Sequence, residues 1–121
     1  MKVLCKQLVD VLGERQTESA WLTVGKSYHV LSVTLDSHGR WLLRLVGDSR
    51  PGVGLFGIEQ FEIVSSRIPE SWIAVWTDNG VFELTTEAWS EVGYWERFFD
   101  GEPHAVAVFE RDATAIVLGE P

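Results

Sequence analysis

The sequence predicts an α+β fold: a strand-rich, bent N-terminal part over residues 1–66, then a further β-hairpin and C-terminal helices over residues 67–121. Three observations predict it. In the first half, apolar runs of strand length alternate with turns rich in Gly, Pro and Asp. Asp78-Asn79-Gly80 then stands between two more such runs. Beyond residue 85 the large apolar residues change to three- and four-residue spacing, which is helical.

Element by element, residues 3–8 read as a short strand. Gly25-Lys26-Ser27-Tyr28 leads into a Val-, Leu- and Tyr-rich strand over 28–35, and Asp36-Ser37-His38-Gly39 supplies the turn before the apolar strand 41–46. Gly47 to Gly54 is a loop by content, and 55–58 and 61–64 are short strands. The close spacing of these strands suggests a small, strongly bent barrel of SH3-like type. Strands 72–77 and 81–84 form the second hairpin, with Asn79-Gly80 suited to a type I′ turn.

Thr85-Thr86-Glu87 offers a helix cap with an acid in the first turn. Trp89, Val92, Trp95 and Phe99 make one apolar stripe of a helix over 86–100, which Gly93 can divide and Gly101 ends. Pro103 suits the first turn of another helix, and Val106, Phe109, Ala113, Ile116 and Val117 repeat at helical spacing. Its rival is a hairpin, because this segment is rich in β-branched residues, but Arg111-Asp112 is a poor tight turn. Any seam lies near Ser65-Ser66-Arg67, and the whole of 1–121 reads as a single domain.

A chain of 121 residues with 45% hydrophobic and 23% charged residues can bury a core without staples. That balance excludes a disordered acidic tail. Cys5 is the lone cysteine, and the opening residues lack the apolar run of a signal peptide, so cytoplasmic residence is expected. No apolar run approaches the roughly 20 residues that span a bilayer, and membrane attachment is not expected.

The charge is unevenly placed. Residues 1–60 hold seven Lys or Arg against six Asp or Glu, whereas residues 61–121 hold three against twelve, a balance of −9 within a net charge of −8. A one-signed surface attracts its opposite, so the expected partner is basic, and nucleic acid is excluded.

Catalytic and cofactor motifs do not stand up. Gly52, Gly54 and Gly57 match G-x-G-x-x-G, but a strand rather than a phosphate-binding helix follows them. His29, His38, His104 and Cys5 are scattered singly, without metal-ligand spacing, so no metal or cofactor is implied. Carboxylate pairs abound, as twelve acids in half a chain make inevitable, but no apolar pocket to tune one of them is legible. The sequence therefore reads as a non-enzyme, with a small hydrolase as the least favoured class.

The candidate binding residues lie in the acidic half. On a helix over 86–100, Glu87 and Glu91, and likewise Glu96 and Asp100, would be like-charged neighbours one turn apart. Each such pair costs about 0.2–0.5 kcal/mol, an arrangement that function can explain. With Glu83 and Glu102 these acids form the expected surface, and Trp76, Tyr94 or Trp95 would supply an exposed aromatic anchor.

The runs Pro69-Glu70-Ser71-Trp72, Trp89-Ser90-Glu91-Val92-Gly93-Tyr94-Trp95-Glu96-Arg97-Phe98-Phe99-Asp100 and residues 105–109 resemble the small acidic immunity proteins of bacterial contact-dependent and polymorphic toxin systems. Gly25-Lys26-Ser27-Tyr28-His29-Val30-Leu31, Gly47-Asp48 and Phe61-Glu62-Ile63-Val64 are similar to the strand-rich front of such proteins. The resemblance implies a bacterial cytoplasmic protein that binds and blocks a cognate toxin domain, a basic nuclease being the fitting kind. The alternative is an SH3-like adaptor unrelated to toxins, using an aromatic groove of Tyr28, Trp41 and Phe56.

Overall fold

The computed structural model describes residues 1–10, 12–49 and 52–120. Among them are strands β1 (Lys2–Cys5), β2 (Leu8–Val9), β3 (Arg15–Gln16), β4 (Ser27–His29), β5 (Ser32–Leu35), β6 (Trp41–Val46), β7 (Val53–Gly57), β8 (Phe61–Ser65), β9 (Trp72–Trp76) and β10 (Phe82–Thr86). Helices α1 (Tyr94–Phe99) and α2 (Pro103–Gly119) follow. The fold is α+β. Its strands form three antiparallel sheets, ordered β4-β1-β8, β7-β6-β5-β10-β9 and β2-β3. None of these sheets closes on itself, so the expected small barrel does not form among the described residues.

The expected strand over 28–35 is divided, which is one reason the sheets stay separate. β4 pairs with β1, whereas β5 pairs with β6 and β10. At the corner between them Val30 and Leu31 are buried, and their N–H groups donate to the carbonyls of Met1 and Arg44, at 3.0 and 2.8 Å. The chain passes back between the same two sheets at the 3-10 turn Ile58–Gln60. Val3, Cys5, Tyr28, Val30, Leu31, Val33, Leu43, Leu45 and Trp72 belong to the shared core.

Both expected hairpins are present. In the second, Thr77 N–H donates to Val81 O and Gly80 N–H to Thr77 O. Only Gly80 is left-handed there, at φ 76°, and no non-glycine residue has a positive φ among the described residues. A type I′ turn needs two such residues, so the type I′ expectation is corrected to a turn closed by glycine at a bulge position.

The helix expected over 86–100 is also corrected. β10 runs on through Thr85 and Thr86, which pair with Ile73 and Trp72 and are buried. Thr86 Oγ1 accepts the Trp89 N–H at 3.2 Å and so starts a 3-10 turn, Ala88–Ser90. Glu91 is extended and Gly93 is left-handed at φ 78°, and only then does α1 begin. Val92, expected in the apolar stripe, is 96% exposed.

Residues 103–119 are helix, not hairpin. The Glu102 carboxylate accepts the His104 and Ala105 N–H groups at 3.0 and 3.2 Å, and Pro103 occupies the first turn. A cap of this kind is worth about 1 kcal/mol. Ala105, Phe109 and Ile116 form the buried face of α2.

Candidate functional site

The site is built where the β9–β10 hairpin meets the 3-10 turn and α1. Val75 from β9, Thr77 just after it, Glu83 from β10, Trp89 and Ser90 from the turn, Glu91 just after it, and Gly93, Tyr94, Trp95 and Glu96 line a cavity of about 190 Å³. Five residues expected in a binding surface therefore share one lining: Glu83, Glu91, Tyr94, Trp95 and Glu96. The glutamates come together because Glu83 points to the helix-covered face of the sheet while the turn and α1 bring Glu91 and Glu96 over it.

Behind the rim lies a charged residue that the sequence reading missed. Arg44 on β6 places its guanidinium 3.8 Å from the centre of the Trp95 ring. Burial pulls its pKa down to about 10, with Glu83 acting in the opposite direction. Burial likewise raises the Glu83 carboxyl, and Arg44 partly offsets this. The two charges act on each other through space, without a contact ion pair. The indole face holds the cation in place of a carboxylate. The signal for Arg44 was present in Trp41-Leu42-Leu43-Arg44-Leu45-Val46, a cation in the middle of an apolar strand.

Of the two candidate rings on α1, Tyr94 does not reach the surface, whereas Trp95 is partly exposed. Tyr94 is 3% exposed, and its hydroxyl donates to the Ala105 carbonyl at 2.6 Å. Burial first, then the charge of Asp112, raises its pKa. Trp95 is half-buried, edge-on to Tyr94 and Phe98 at centroid distances of 5.0 and 5.5 Å. Both rings are committed to an aromatic cluster, completed by Trp89, which stacks on Phe109 at 5.6 Å and 23°. Tyr94 supports the cavity from within, whereas the partly exposed Trp95 lines it beside Glu83, Glu91 and Glu96.

Trp76 is 70% exposed. It lies on the opposite face of the sheet from Val75 and Thr77, in cross-strand register with Phe82, Leu35 and Trp41. It is thus separated from the acidic rim. Glu87 and Asp100 are exposed, while Glu102 is occupied in capping α2. Glu87 and Glu91 do not share a helical face, because the backbone is extended at Glu91. Glu96 and Asp100 are one turn apart, the Asp100 N–H donating to Glu96 O at 3.0 Å. Glu91 also meets Arg97 at 3.6 Å, an exposed pair worth less than about 1 kcal/mol.

The groove expected from Tyr28, Trp41 and Phe56 is not assembled as such. Tyr28 is buried, its hydroxyl accepting the Thr23 N–H and donating to Asp48. Phe56 instead packs against Trp21, and these two line a cavity of about 440 Å³ with Leu55, Arg40, Asp10 and Gln60.

Glu83 yields a prediction on stability. Its raised pKa means that the folded state holds the carboxyl proton more tightly than the unfolded chain does. Its stabilising contribution is therefore full below the ordinary glutamate pKa and is lost as pH rises through the raised value. Glu83→Gln should leave the melting temperature at pH 7 equal to or above that of the parent. A fall of several degrees in thermal unfolding would mean that attraction to Arg44 outweighs burial.

Among the described residues no group of three or more His, Cys, Asp or Glu is placed to hold a metal ion, and no helix is long and apolar enough to cross a membrane. Comparison of the chain with protein-family models, with curated proteins and with solved structures finds no match.

Proposed function

We propose that this protein is an immunity protein, a cytoplasmic inhibitor that binds and neutralises a cognate bacterial toxin through its acidic surface. The observation that carries the reading is the convergence of Glu83, Glu91 and Glu96 on one cavity rim, in the half of the chain whose charge balance is −9. Arg44 and the aromatic cluster behind that rim hold it on a packed base, which lowers the ordering cost of binding. A carboxylate rim of this kind suits a cleft lined with Lys and Arg, such as one that holds phosphates in a basic nuclease. The reading assigns this chain no catalytic step and no cofactor.

The test is affinity capture with the tagged protein at low salt, followed by elution on a salt gradient and assay of each captured partner. The expected result is a basic partner that salt releases and whose nuclease or other toxic activity falls to background at one equivalent of this protein. A partner whose activity is unaffected would overturn the inhibitor reading.

A second reading, an SH3-like adaptor, draws on the groove between Trp21 and Phe56. It predicts an apolar peptide ligand whose binding is insensitive to salt and is lost in Phe56→Ala.

A further inference from the structure

β9 stands at the end of the five-stranded sheet, with β10 as its one neighbour among the described residues. Thr77 closes the hairpin by donating to Val81, so Thr77, Val75 and Ile73 turn their backbone groups toward β10. By the same alternation Trp76, Ala74 and Trp72 turn theirs outward. The Trp72 N–H agrees, since it donates to Pro69 O at 3.1 Å rather than to β10. Among the described residues no hydrogen bond reaches the outward N–H and C=O of Ala74 and Trp76 or the Trp72 carbonyl. An edge of this sort is usually guarded by Lys, Pro, a bulge or very short length. β9 has none of these: it makes five consecutive register pairs with β10 and holds no charged residue. Ile73, Ala74 and Trp76 are exposed along it.

The open groups are backbone groups, so an extended strand is the chemistry that fits them. The order of side chains identifies the strand. Trp72-Ile73-Ala74-Val75-Trp76 is a near-palindrome about Ala74. An antiparallel pairing of two copies about a two-fold axis at Ala74 sets Ala74 against Ala74, Ile73 against Val75 and Trp72 against Trp76. The Ala74 residues then exchange both hydrogen bonds, and Trp76 N–H of one protomer reaches the Trp72 carbonyl of its partner. The smallest side chain lies on the axis, and β-branched residues, which pair well across strands, flank it. We propose that β9 joins two copies of this chain edge to edge, as an isologous dimer with one continuous ten-stranded sheet.

The charges give the dimer a signature independent of the inhibitor reading. Each copy carries −8, and the pairing brings Asp78 of one protomer toward Glu70 of its partner. Association therefore strengthens with salt, whereas binding of a basic toxin to the acidic rim weakens with it.

Sedimentation equilibrium of the full chain tests this over a wide concentration range, at salt that shortens the Debye length from about 30 Å to about 3 Å. The expected mass rises from 13.6 kDa toward twice that value, and further at high salt. Ala74→Lys, which sets two cations face to face at an exposed position, should weaken the dimer about tenfold or more and leave the melting temperature unchanged at concentrations where both proteins are monomeric. Asp78→Lys, which replaces a repulsion with Glu70 of the partner by an attraction and leaves each copy at −6 (−8 + 2), should strengthen it at low salt and reduce the salt enhancement. A monomer at every concentration and salt, a dimer indifferent to Ala74→Lys, or a dimer dissociated by salt would each overturn the proposal. So would slowed amide exchange at Ala74 and Trp76 only when a foreign strand is added, which would assign the edge to that strand.

Discussion

Trp89→Ala is expected to lower the unfolding free energy by about 3–5 kcal/mol, the usual cost of emptying a large buried aromatic site. Trp89 is 2% exposed and makes ring contacts with Phe109 and Trp95, each at a centroid distance of 5.6 Å. Phe109 belongs to α2 and Trp95 to α1, so one indole joins both helices to the end of β10. A domain of ordinary stability has about 5–15 kcal/mol in all, and this substitution alone would remove a large part of it. Urea unfolding followed by far-ultraviolet circular dichroism measures the loss. Trp76→Ala is the control, expected to cost less than about 1 kcal/mol because Trp76 is largely exposed. Equal losses for the two variants would show that the cluster under the acidic rim does not hold the helices on the sheet. Arg44 would then have no rigid base.

Reversal of two exposed acidic charges, Glu91 on the cavity rim and Glu87 outside its lining, should have the largest effect on binding. Glu87→Lys combined with Glu91→Lys is expected to slow association with the captured basic partner about tenfold at low salt and to flatten the dependence of that rate on ionic strength. Both side chains are exposed, so stability should change by less than about 1 kcal/mol. The partner lost by Glu91 is an exposed Arg97, whose contribution is small. Stopped-flow association at a series of salt concentrations measures both effects. Unchanged rates with an intact fold would place the interface away from this rim. The comparison is clean because Glu87 and Glu91 are not helical neighbours, and their replacement leaves no helix face to reorganise.

The site was legible in composition and blurred in detail. The crowding of acids into the second half of the chain is read directly from the sequence, and Glu83, Glu91 and Glu96 do meet at one cavity. Tyr94 was a candidate exposed ring and is buried, because helical spacing marks a face as apolar without saying what covers it. The cover is Arg44, fifty residues before Tyr94 in the chain, together with α2. Charge on a strand reads as solvent-facing until the fold supplies an indole to stack on it.

What the sequence by itself determined was whatever depends on neighbours along the chain. Asp78-Asn79-Gly80 specified a turn, since glycine adopts positive φ without strain, and Glu102-Pro103 started α2 with a carboxylate for the free N–H groups. Only the tertiary structure decided where strand 28–35 breaks, whether Thr85 and Thr86 extend β10 or begin a helix, and that no barrel closes. The physical reason is that a short apolar segment gains little from either conformation alone. Its choice follows from cross-strand pairing and burial against residues distant in sequence: Met1 and Arg44 at Val30-Leu31, and Trp72 and Ile73 at Thr86 and Thr85.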